Sequence, residues 1–146
     1  MQSGGEGGWS EPGYRDLIAW QKAMDLADLV YDACLGWPAD ERYGLTSQTK
    51  RAAISIPANI AEGKGRGTPG DFARFLDTSY GSLCELETLL YLANRRGFID
   101  RMTRDRLLAR STEVARLIHG PLRHLRPSSP RATHEDSPTY DHPDEP

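Results

Sequence analysis

Histidine, serine, cysteine and arginine are the side chains here that could ligate, attack or bind an anion, and their spacing narrows what they can do. His119 and His124 are five residues apart, so on a helix they do not share a face. No glutamate stands three residues before a histidine, the pairing that di-metal helical bundles use. A metal centre is therefore not expected. Ser47, Ser55, Ser79 and Ser82 have no nearby histidine in sequence to act as a base. Cys34 and Cys84 are the two cysteines, too few and too far apart for a disulfide framework or a zinc cluster, which fits a reducing cytoplasm. Gly63, Gly65 and Gly67 form a spaced glycine run with no strand before it. That context suits a turn between helices better than a phosphate cradle. No cofactor and no catalytic constellation emerge, so the expected protein is not an enzyme.

Charge and small side chains remain. Lys50, Arg51, Lys64 and Arg66 are the candidate phosphate-binding residues, since clustered cations neutralise a nucleic-acid backbone irrespective of its sequence. Arg15, Arg123 and Arg126 are expected beside Lys64 and Arg66 at one end of the molecule, with Arg95, Arg96, Arg101 and Arg104 at the other. A solvated surface with intrahelical pairs, such as Asp71 with Arg74 or Asp100 with Arg104, accounts for the same residues. Ala52, Ser55 and Ala58, within a tract that includes Ala53 and Ala61, let backbones approach closely. They are candidates for a seam between subunits, or for ordinary packing within one.

These residues must be positioned by helices. Leu17, Trp20, Met24, Ala27, Tyr31 and Cys34 recur at steps of three and four and predict the core face of a first helix, stopped by Gly36 and Pro38. Asp40 is the expected cap of a second helix running through Leu45, Ala52, Ile56 and Ile60, with Pro57 inside it as a kink. Thr68 and Pro69 open a third, whose stripe is Phe72, Leu76, Ser79, Leu83, Leu86 and Leu90, widened by Leu89 and Leu92 and ended by Gly97. Thr103 is the expected cap of a fourth, lined by Leu107, Ser111, Val114, Ile118, Leu122 and Leu125. No strand pattern is present. Short links between long helices imply an all-α, up-down-up-down antiparallel four-helix bundle.

The bundle is expected over residues 14–126. Residues 1–13 contain no Leu, Ile or Val, and residues 127–146 contain five prolines and no Leu, Ile, Val or Phe. Neither segment can repay the entropy of ordering, so both read as disordered tails. The whole chain of 146 residues carries a net charge of −3, which excludes a strongly basic protein of the histone type. The charge is unevenly placed. Residues 14–126 carry 17 Lys plus Arg against 14 Asp plus Glu, while the C-terminal tail holds five acidic residues against one arginine. An acidic tail beside a basic body can screen that body from polyanions; it can equally serve as a plain solubilising tail. No apolar run reaches the roughly 18 residues of a membrane helix, and residues 1–9 lack the basic start and apolar stretch of a signal peptide.

The second helix carries a long ordered string: Tyr43-Gly44-Leu45, then Arg51-Ala52-Ala53-Ile54-Ser55-Ile56-Pro57-Ala58-Asn59-Ile60-Ala61-Glu62-Gly63. With Tyr14-Arg15-Asp16-Leu17-Ile18-Ala19-Trp20 and Gly81-Ser82-Leu83-Cys84-Glu85-Leu86-Glu87, it resembles the four-helix-bundle family named after proteins encoded in intervening sequences of 23S ribosomal RNA genes. The resemblance implies a homopentamer. It also implies kinship with the accessory proteins of diversity-generating retroelements, which bind nucleic acid and a reverse transcriptase. The expectation is a non-enzymatic, self-assembling binding or scaffold protein that holds RNA or DNA on basic patches. The alternative is a protein-interaction module that partners a reverse transcriptase or another protein without touching nucleic acid. Trp20, Leu26, Val30, Phe75 and Leu89 are the apolar positions expected to remain for an interface.

Overall fold

The computed structural model describes residues 13–125, so the expected tails lie outside the described residues apart from Gly13. Four helices make up the fold: α1 (Ile18–Cys34), α2 (Leu45–Gly65), α3 (Pro69–Arg95) and α4 (Arg101–Leu125). Among the described residues there is no strand. One-turn 3-10 segments at Tyr14–Asp16 and Ala39–Glu41 precede α1 and α2.

Local chemistry sets the ends. Thr68 Oγ1 accepts from the Asp71 backbone N–H at 3.2 Å, and Pro69, with no N–H to lose, takes the first helical position. Gly36 and Gly97 adopt positive φ (85° and 78°) where the chain leaves α1 and α3, a conformation that costs a side chain-bearing residue energy. Two expected caps are corrected. Glu41, not Asp40, accepts from the first amide of α2, with Leu45 N donating to its Oε2 at 3.0 Å. Asp100, not Thr103, caps α4: Thr103 N donates to Asp100 Oδ1 at 2.7 Å. That bond, together with the Thr103 side chain, holds the Asp100 carboxyl below its ordinary range. In both cases an acidic side chain just outside the helix reaches in from the preceding turn. Pro57 is buried within α2, and the helix continues past it to Gly65.

Cross-helix contacts fix the topology. Ser55 meets Ser82 (Oγ to Oγ, 2.7 Å), while Gly63, further along α2, lies against Phe75, earlier in α3. Ser111 Oγ donates to Glu87 Oε1 at 2.6 Å, while His119 meets the ring of Tyr80. Lys22 pairs with Glu113 at 3.5 Å, and Lys50 lies over Tyr31. Rising numbers on one helix face falling numbers on the next, an antiparallel order. α1 packs on α2 and α4, and α3 packs on the same two.

The stripes of α2, α3 and α4 are buried as expected, save for Leu45, Phe72 and Leu125 at the margins and Leu92, which is exposed. α1 is different. Its core residues are Ala19, Ala23, Leu26, Val30 and Cys34. Met24 and Tyr31 are 40% and 42% exposed, and Leu17, Trp20 and Ala27 sit at the margin. Leu26, Val30 and Leu89, expected to be left for an interface, belong to the core instead. Ala19, Ala23, Leu26, Val30 and Cys34 also recur at steps of three and four, and this second stripe is the one that turns inward, leaving Met24 and Tyr31 outward.

Candidate nucleic-acid interface

α2 carries Lys50, Arg51 and Lys64, with Arg66 just beyond its end, and they are spread along the helix. Lys50 and Lys64 are fourteen residues apart, about 21 Å along the helix at 1.5 Å per residue. Lys50 leans toward α1, its Nζ 4.8 Å from the centre of the Tyr31 ring. Its positive charge opposes the burial that pushes the neighbouring Cys34 thiol up to about 11. Arg51 points the other way. It lines an open groove of about 470 Å³ between α2 and α3 with Gln48, Ser55 and Glu85. None of the ion pairs among the described residues engages Lys50, Arg51 or Lys64.

Lys64 and Arg66 do come together at the end of α2. There they are committed to aromatic rings: Lys64 Nζ lies 5.9 Å from the Phe72 centroid, and Arg66 Cζ lies 5.3 Å from that of Phe75. Arg74 stands 4.6 Å from the same Phe75 ring. Such contacts add attraction at a partly exposed site while leaving the charge outward. Arg66 also bonds Glu62 Oε1 at 3.1 Å, and Arg74 bonds Asp71 Oδ1 at 3.2 Å, as expected for an intrahelical pair. Arg74, with the Thr68 hydroxyl, holds the Asp71 carboxyl below its usual range. At the opposite end Arg104 does not pair with Asp100. Its guanidinium bonds Asp105 Oδ1 at 2.9 Å and Asn94 Oδ1 at 3.0 Å.

The small-residue tract is divided. Ala52 is buried in the chain's own core, and Ser55 is held between Asn59 Nδ2 (2.9 Å) and Ser82. Ala58 is exposed. A seam between subunits at this place would rest on Ala58 and the outer edge of Ser55.

The strongest cationic element is one that reading α2 alone overlooks. α4 carries six arginines against Asp105 and Glu113, whereas α1 carries Asp25, Asp28 and Asp32 against Lys22. The signal was present as a simple charge count per helix. Among the described residues no group of three histidine, cysteine, aspartate or glutamate side chains is placed to hold a metal ion, and no helix is long and apolar enough to cross a membrane.

These features define a four-helix bundle with its cations on the outer surface. The chain belongs to the 23S rRNA-intervening sequence protein family, whose model matches residues 15–120. A solved structure with a similar fold is a protein of unknown function from the S23 ribosomal protein family of Bacteroides thetaiotaomicron. It shares 23% identity with a TM-score of 0.65, over 72% of this chain and 98% of that one. No curated protein matches.

Proposed function

We propose that this protein is a non-enzymatic, self-assembling scaffold that holds nucleic acid on its basic surface. The observation that carries this reading is the opposed charge of two neighbouring helices, α1 with three aspartates and one lysine and α4 with six arginines and two acidic residues. Opposite charge on neighbouring helices suits copies joined side by side in a ring, such as the homopentamer the family resemblance implies, with the arginines on the α3 side of α4 left outside the joint. Weak phosphate contacts repeated around a ring add through effective concentration. The apolar part of such a joint is available in Met24 and Tyr31 of α1 and Ile54 of α2, all exposed.

Size-exclusion chromatography with in-line light scattering tests both halves. Self-assembly predicts a mass near five subunits. Nucleic-acid binding predicts that this peak shifts when a mixed-sequence oligonucleotide is added at low salt and returns at high salt. A monomer overturns the assembly, and a peak indifferent to every nucleic acid overturns the binding.

A second reading draws on one end of the bundle. Leu35, Tyr43 and Met102 are 78%, 89% and 74% exposed at the end where α1 stops and α2 and α4 start. Apolar side chains so placed suit a protein partner, a reverse transcriptase among them. Capture of that partner surviving nuclease and high salt distinguishes this reading from the first.

A further inference from the structure

The outer groove between α3 and α4 brings together side chains that no motif links. Arg116, His119 and Arg123 follow one another along one edge of α4 at steps of three and four, with Asp77 and Tyr80 of α3 opposite. The groove is open and measures about 470 Å³. Neither arginine enters an ion pair among the described residues. Seven residues separate them, a span of about 10 Å along the helix, longer than one phosphate group. The ring of Tyr80 lies against His119, centroid to centroid 4.5 Å at 58°, and the residue is 36% exposed.

We propose that this groove binds a single-stranded segment of nucleic acid, its phosphates on Arg116 and Arg123 and one base against the Tyr80 ring. This rests on the nucleic-acid reading above and gives it a site distinct from Lys50, Arg51, Lys64 and Arg66. Cations that track a backbone beside an aromatic platform are what a single strand needs, because an unpaired base offers its face as well as its edge. A duplex keeps its bases stacked and leaves the Tyr80 ring unused. Asp77 lowers the charge of the groove without cancelling two arginines.

The test is fluorescence anisotropy with full-length protein and a labelled oligothymidine of about 20 nucleotides, titrated from about 50 to 200 mM salt. The Arg116→Ala/Arg123→Ala variant should bind about tenfold more weakly at the low-salt end. The slope of log affinity against log salt should fall by about 1.4, since each single-strand phosphate contact contributes about 0.7. Tyr80→Leu should weaken binding at least fivefold and leave the slope unchanged, because stacking releases no counterions. Circular dichroism checks that each variant keeps its helices. If wild type binds while the double arginine variant keeps its affinity and slope, the site assignment fails and the functional reading stands. If Tyr80→Leu is silent and duplex binds as tightly as single strand, the stacking role fails. If wild type binds no nucleic acid at low salt, both fall together.

Discussion

The hydroxyl of Ser79, fully buried in the middle of α3, donates to the carbonyl of Ile56 at 2.8 Å, one residue before Pro57 in α2. The bond ties the two helices where the proline interrupts the α2 ladder. It explains why a serine sits in an otherwise aliphatic stripe. Ser79→Ala keeps the volume and removes the donor, so the expected loss is about 1 kcal/mol of unfolding free energy. Urea denaturation reads it, and an unchanged midpoint would make Ser79 merely a small residue that fits.

Gly63 and Gly65 give a sharper contrast. A Cβ on Gly63 would lie 2.6 Å from Phe75 Cβ, an atom fixed to the α3 backbone, so the helices must part to admit it. Gly63→Ala should cost about 1–3 kcal/mol by overpacking. At Gly65 nothing lies within 4 Å of an added Cβ, and the residue is helical. Gly65→Ala should be neutral or stabilise by up to about 1 kcal/mol. Thermal denaturation of both variants measures the difference. The spaced glycines thus divide their work: the first is a packing contact, and Gly67, at φ 80°, makes the turn.

How much of this was legible in the sequence varied by helix. The α3 and α4 stripes announced themselves because large aliphatic residues alternate there with charged ones. In α1 the apolar residues cover more than one face, and weighting them by size selects Met24 and Tyr31 over Ala19 and Ala23. Only the neighbours decide between those faces. Leu26→Ala should therefore cost about 2–5 kcal/mol, while Met24→Ala should change folding stability by no more than about 0.5 kcal/mol. Equal losses would mean that α1 is rotated about its axis so that Met24 also faces the core. The capping residues differ from the sequence expectation by one to three positions because Asp40, Glu41, Asp100 and Thr103 all carry a side-chain oxygen that can accept from a helix's first amides. The Arg116–Tyr80 groove could not be read, since its two walls are far apart in sequence and meet only by packing.

The two thiols should behave differently. Cys84 is exposed, and Cys34, the last residue of α1, is buried, which raises its pKa from 9.0 to about 11. A thiol reagent at neutral pH should modify one cysteine rapidly and the second only on unfolding. Between pH 9 and 11 the unfolded chain gives up the Cys34 proton and the folded chain keeps it. Stability contributed by the neutral thiol is therefore complete below pH 9 and declines as pH rises through that window. Cys34→Ala should flatten the alkaline decline, measured as the urea midpoint against pH, although it loses a little packing at every pH. An equally steep decline in the variant would assign it to other groups.

The uneven charge of the chain makes a last prediction about the proposed binding surface. The segment 127–146 holds Glu135, Asp136, Asp141, Asp144 and Glu145 against Arg131, whereas residues 14–126 are net positive. Competition of this covalently attached acidic segment with a nucleic-acid backbone for the same cations is the expectation to test. Replacing the five acidic residues by their amides in the full-length protein removes that competition and changes no residue of the bundle. Oligonucleotide affinity at low ionic strength should then rise several-fold, with the gain fading as the Debye length shrinks toward about 3 Å near 1 M salt. An increase that persists at high salt would point to a contact other than charge. No increase at low salt would make the acidic residues a solubilising feature and leave the cations of the bundle unscreened.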